Sequence, residues 1–74
     1  MERTKAMRVT YDPEVDMAYI YVVDPIEPGS GVRQEAALSF VFDFDGQDRL
    51  LGIEVFDASK VLHPETLAHA VRPG

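Results

Sequence analysis

Five acidic side chains, Asp43, Asp45, Asp48, Glu54 and Asp57, punctuate the stretch FVFDFDGQDRLLGIEVFDASK at residues 40 to 60. Oxygen-rich loops of this kind can hold a divalent cation, and the interval from Asp43 to Glu54 equals the first-to-last spacing of an EF-hand loop. The interior of the motif does not fit. An EF-hand turns sharply on a glycine at its sixth position between two helices, whereas here Asp48 holds that position, Gly46 holds the fourth, and the flanks are strand-like. A second acidic group, Asp12, Glu14 and Asp16, surrounds an Asp-Pro turn in YDPEVDMAY, where solvated turn acids are the ordinary outcome.

The nucleophiles and bases form no recognisable set. His63 and His69 are six residues apart, outside the three- or four-residue spacings that place two ligands on one helical face. His63 precedes Pro64, a place suited to capping a helix. There is no cysteine, and Ser30, Ser39 and Ser59 lie in no strained-turn motif such as G-x-S-x-G. The GSG at residues 29 to 31 is too short to cradle a phosphate. No metal site and no cofactor is expected.

Hydrophobic periodicity defines the elements that would position these groups. MRVTY, residues 7 to 11, alternates like a half-buried strand. MAYIYVV, residues 17 to 23, is apolar on both faces, as in a central strand or an interface, which makes Tyr19, Tyr21 and Val23 the interface candidates. DPIEPGSG at 24 to 31 is a loop, and VRQEAAL at 32 to 38 reads as a short edge strand. The 40-to-60 stretch is first of all a hairpin. A four-residue loop at 45 to 48 would set Phe44, Phe42 and Phe40 opposite Arg49, Leu51 and Ile53, with Val41, Asp43, Gly52 and Glu54 on the other face.

After Phe56 the period lengthens. Asp57 suits the N-cap of a short helix through ASKVL, and Pro64 with Glu65 opens a second, PETLAHA. Leu67 and Val71 are its core candidates. Strands followed by short helices predict an α+β fold: a small antiparallel sheet of four to five strands in a hairpin meander, with short C-terminal helices.

Length and charge bound the function. Seventy-four residues allow one domain, expected over residues 8–72, behind a basic N-terminal tail at 1–7 in which Met7 is a second possible start. A chain of this size without disulfides supplies a marginal core, so a homodimer is expected. The formal charge is −6, from 7 basic and 13 acidic residues. Excess acid excludes direct nucleic-acid binding and an anionic membrane as partners, and it favours a basic protein. The aromatic residues therefore serve packing more than base stacking. No membrane span or secretory apolar core is present in the chain, and a cytoplasmic location is the default.

The paired segments VTYDPEVDMAYIYV and FDFDGQDRLLGIEVFDASKVL resemble a short prokaryotic family, domain of unknown function 2283, across roughly residues 8 to 62. Its members join a YDxxxDxxYI-type start to a DxDxxGxxxGIEIxxAS-type hairpin. The loop here departs from that pattern, with Gly46 directly after Asp45, while Gly52, Ile53 and Glu54 keep their places. The resemblance implies a small sheet-rich fold and carries no activity or catalytic residues with it. Two functions are expected from the residues. The first is a non-catalytic homo-oligomeric protein-interaction module, such as the neutralising partner of a basic protein. The second is a small-ligand or divalent-cation binding protein, or a weak hydrolase, using the Asp43 and Glu54 face with Asp57, Ser59 or His63 at the hairpin's end.

Overall fold

The computed structural model describes residues 7 to 72. Residues 1 to 6 of the expected basic tail lie outside the described residues, and Met7 is exposed. Five strands, β1 (Arg8–Asp12), β2 (Met17–Tyr21), β3 (Arg33–Ala37), β4 (Phe40–Phe44) and β5 (Leu50–Phe56), are followed by two short helices, α1 (Ala58–Val61) and α2 (Pro64–Ala68). The sheet is antiparallel throughout, in the order β1-β2-β5-β4-β3. This is the α+β architecture expected from the pattern of apolar runs. β5 comes late in the chain yet lies at the centre, because it hairpins with β4 and also closes onto β2.

Register sorts the side chains into two faces. Tyr11, Ala18, Val55 and Phe40 lie in one row, and Val9, Ile20, Ile53 and Phe42 in the next, all on one face. Ala18, Val55 and Ala58 form the centre of the core, with Tyr11, Ile20, Phe40, Ile53, Leu62 and Leu67 packed around them. The helices therefore cover this face, and α2 rests against β1. The other face carries Thr10, Tyr19, Glu54, Val41 and Ala36 in one row and Arg8, Tyr21, Gly52, Asp43 and Gln34 in the next. No described element covers it.

Several sequence expectations shift in detail. The β4–β5 pairing sets Phe42 opposite Ile53 and Phe40 opposite Val55, two residues from the expected register, with a bulge near Asp43 and Phe44. The loop spans residues 45 to 49, closed by the Asp45 N–H donating to the Arg49 carbonyl at 2.9 Å. Parity survives because the displacement is even, so the phenylalanines keep the core face. β2 ends at Tyr21, but the N–H groups of Val22 and Val23 both donate to the Leu51 carbonyl at 3.0 Å, so the chain stays beside β5 before turning away. Of the expected core residues in α2, Leu67 packs inward while Val71 remains 54% exposed.

The two outer edges of the sheet end differently. On β1, the Tyr11 N–H donates to the Val71 carbonyl at 2.9 Å and the Val71 N–H donates to the Val9 carbonyl at 2.8 Å, a short parallel bridge that covers the edge. On β3 all five residues are exposed.

Candidate functional site

The five candidate ligand-binding residues fall into two places. Asp43 and Glu54 lie on the uncovered face, joined by Tyr19, which sits directly opposite Glu54 in the β2–β5 register. Tyr19 donates its hydroxyl to Asp43 Oδ2 at 2.6 Å, and Gln34 Nε2 donates to Asp43 Oδ1 at 2.7 Å. The Tyr19 ring lies across β5 over Gly52, where a Cβ would stand 2.6 Å from both Cε2 and Cζ. Only glycine leaves room for that crossing. Burial, followed by the hydrogen bond to Asp43, pushes the Tyr19 phenol well above its ordinary pKa, so Tyr19 is a neutral donor at any physiological pH. Tyr21 packs edge-on against Tyr19 with ring centroids 4.8 Å apart, and the Arg8 guanidinium lies 3.9 Å from the Tyr21 ring centroid.

Glu54 is half-buried and, among the described residues, takes no hydrogen bond or ion pair. It lines an open cleft of about 240 Å³ with Thr10, Asp12, Val15, Met17 and Tyr19. Asp12 is occupied locally: its Oδ1 accepts the Glu14 N–H at 3.0 Å, the turn chemistry expected of Asp-Pro. A larger cleft, about 400 Å³, runs between β1 and α2, lined among others by Arg8, Glu65, Thr66 and His69.

Asp57, Ser59 and His63 belong to the helical layer, apart from Asp43 and Glu54. Asp57 occupies the N-cap position of α1 in the left-handed region, φ 54°, and its side chain makes no capping bond. Asp16, forty-three residues away in sequence, caps that helix in its place. Its Oδ1 accepts the Ser59 N–H at 2.9 Å, its Oδ2 accepts the Ser59 hydroxyl at 2.7 Å, and its carbonyl accepts the Ala58 N–H at 2.9 Å. The Tyr11 hydroxyl also donates to Asp16 Oδ1, at 2.8 Å. These donors hold the Asp16 carboxyl below its ordinary pKa, the Ser59 hydroxyl contributing most and Tyr11 next. The same bond raises the Tyr11 phenol. His63 caps α2, its Nδ1 accepting the Glu65 N–H at 3.0 Å, the structural role expected of it. His69 Nδ1 lies 2.9 Å from the Glu65 carbonyl.

Sequence reading treats Asp16 as one of three solvated turn acids and assigns the cap to Asp57. Local spacing favours Asp57, and only the return of β5 beside β2 brings Ser59 to Asp16. The pairing of the two motif segments is the available signal, since Tyr11 and Asp16 belong to one and Ala58 and Ser59 to the other. Asp45 is likewise a turn residue: it accepts the Gln47 and Arg49 N–H groups at 2.8 and 2.9 Å, which together hold its carboxyl low. Its side chain is thus committed to the loop. The described residues contain no group of three or more metal-ligating side chains, and no histidine bonds a serine among them.

These observations describe a bare sheet face with a tyrosine network and a half-buried, unengaged carboxylate, on a scaffold in which Asp12, Asp16 and Asp45 are used structurally. The family described as "Protein of unknown function (DUF2283)" matches residues 8–59, and the chain belongs to it. Comparison with the curated proteins found no match, and comparison with the solved structures found none. No described helix is long and apolar enough to cross a membrane.

Proposed function

We propose that this protein is a non-catalytic interaction module that works as a homodimer. One observation carries the reading: among the described residues four hydrophobic residues are buried, Ala18, Leu51, Val55 and Ala58, whereas eight large hydrophobics are at least 40% exposed. A domain of this size buries only about 60% of its unfolded surface, and without disulfides or a structural metal self-association is the remaining ordinary source of stability. Val32 and Leu38, at the two ends of the exposed β3, are apolar surface such an assembly would shield. A net charge of −6 suits a basic protein as the assembly's partner. Sedimentation equilibrium of the purified chain tests the reading: twice the chain mass at micromolar concentration is expected, and a monomer at hundreds of micromolar contradicts it.

A second reading follows from Glu54. A half-buried carboxylate without an internal partner, lining a cleft with Tyr19 and Met17, suits a small cationic ligand such as a primary amine or a divalent ion. Melting temperature raised by such a ligand in the wild type and unchanged in Glu54→Gln would favour it. Identical responses in the two proteins would exclude it.

A further inference from the structure

From the hydrogen-bond alternation we infer that β3 is the joint of the homodimer, pairing antiparallel with β3 of a second copy to make one continuous ten-stranded sheet. This inference rests on the homodimer reading and names its geometry.

The direction of every backbone group in the sheet follows from a few bonds. The Val22 N–H donates to the Leu51 carbonyl and the Phe56 N–H to the Ser39 carbonyl. In an antiparallel ladder, residues that exchange bonds with one neighbour alternate with residues that face the other. β5 thus turns its odd residues to β2 and its even residues to β4. β4 turns Val41 and Asp43 to β5 and Phe40, Phe42 and Phe44 to β3. On β3 the partners Ala37, Glu35 and Arg33 are consumed by β4. Gln34 and Ala36 direct their N–H and C=O groups out of the sheet. The same alternation on β1 sends Val9 and Tyr11 outward, which are the residues Val71 satisfies. One edge is closed by Val71; no described residue closes the other.

β3 carries neither proline nor lysine, and no bulge interrupts its register with β4 over all five residues, the one irregularity coming just before it, where the Val32 N–H also turns to the Phe44 carbonyl at 3.0 Å. Proline, lysine and bulges are the devices by which exposed edges are ordinarily blunted. A partner strand centred on Glu35 fits a second copy. Gln34 would exchange two hydrogen bonds with the partner's Ala36, and Ala36 two with the partner's Gln34. Arg33 would face a small alanine. Arg33 is ion-paired within the chain to both Glu35 and Asp48, so Glu35 brings its own counter-ion to the axis, where it would face its own copy. Val32, before β3, and Leu38, in the turn after it, lie at the two ends of the joint. Leu38 is fully exposed and left-handed at φ 57°, an apolar side chain on strained backbone, and Val32 is 64% exposed. The left-handed backbone of Leu38 belongs to the two-residue β3–β4 turn, and the pairing would draw the two exposed apolar side chains toward their counterparts in the other copy.

The chain has no cysteine, so Glu35→Cys is a clean probe. On the two-fold axis it would face its own copy as a non-hydrogen-bonded pair with Cα atoms about 4.5 Å apart, within disulfide range. Mild oxidation is expected to give a covalent dimer in high yield, with Gln47→Cys in the β4–β5 loop giving little. Ala36→Pro removes an outward N–H at a position where an edge tolerates proline. It is expected to sediment as a folded monomer, with far-ultraviolet circular dichroism unchanged. A dimer that survives Ala36→Pro and fails to cross-link through Glu35→Cys overturns β3 as the joint while leaving the homodimer standing. A wild-type chain that is monomeric at hundreds of micromolar overturns both.

Discussion

Replacing Gly52 by alanine tests the central packing contact of the uncovered face. The new Cβ would stand 2.6 Å from Tyr19 Cε2 and Cζ, where ordinary contact begins at 3.4 Å. The ring must retreat by at least about 0.8 Å, and the hydroxyl, nearer still to the new Cβ, by more, which pulls it from Asp43, now 2.6 Å away, or drags Asp43 with it. Overpacking of this kind costs about 1–3 kcal/mol. The strained hydrogen bond adds about 1 kcal/mol. Replacing glycine within a strand returns about 0.5–1 kcal/mol through reduced unfolded-state entropy. The expected net loss is about 2 kcal/mol, and each kcal/mol corresponds to about 4–8 °C for a domain of this length. Urea melts at one fixed protein concentration measure it, with Tyr19→Val as the second arm of a cycle. Valine is too short to cross β5, so in that background Gly52→Ala should stabilise by about 0.5–1 kcal/mol. Equal losses in both backgrounds would refute the steric argument.

Asp16→Asn should lower the melting temperature more than Asp57→Ala, because the remote carboxylate holds α1 and the local one makes no capping bond. The Asp16 carboxyl is depressed in the fold, so its contribution is present above its unfolded pKa, about 3.9, and disappears as pH falls through the lower folded value. Urea midpoints from pH 7 to 2.5 should therefore fall less steeply for Asp16→Asn. The raised Tyr19 phenol has the opposite sign: its contribution is complete below pH about 10 and is lost as pH rises through the folded value. Absorbance titration should show the last-ionising tyrosine vanish in Tyr19→Phe while the raised Tyr11 remains. Leu38→Gly relieves left-handed strain of about 1 kcal/mol and should stabilise the monomer fold while weakening the dimer, read by melting and by sedimentation.

β1, β4 and β5 were legible because their apolar residues keep a period of two, and β4 with β5 kept its faces even though the pairing moved by two residues. Pattern fixes parity; the bulge near Asp43 and Phe44 decides the exact partner, and no residue type there announces it. Val41, Asp43, Gly52 and Glu54 could be assigned to one face on that basis. Tyr19 as the group that joins Asp43 to Gly52 could not, since it requires β5 to lie between β2 and β4. The same closure hides the Asp16 cap. Local rules favoured Asp57, which satisfies the spacing but adopts the left-handed conformation and makes no bond. His63 was readable as a cap because the proline and glutamate that follow it are local signals.

The decisive measurement is the mass of the native wild-type protein by sedimentation equilibrium across a micromolar to hundreds-of-micromolar range. The homodimer account predicts two chains with a concentration-dependent dissociation. One chain throughout the range would contradict it.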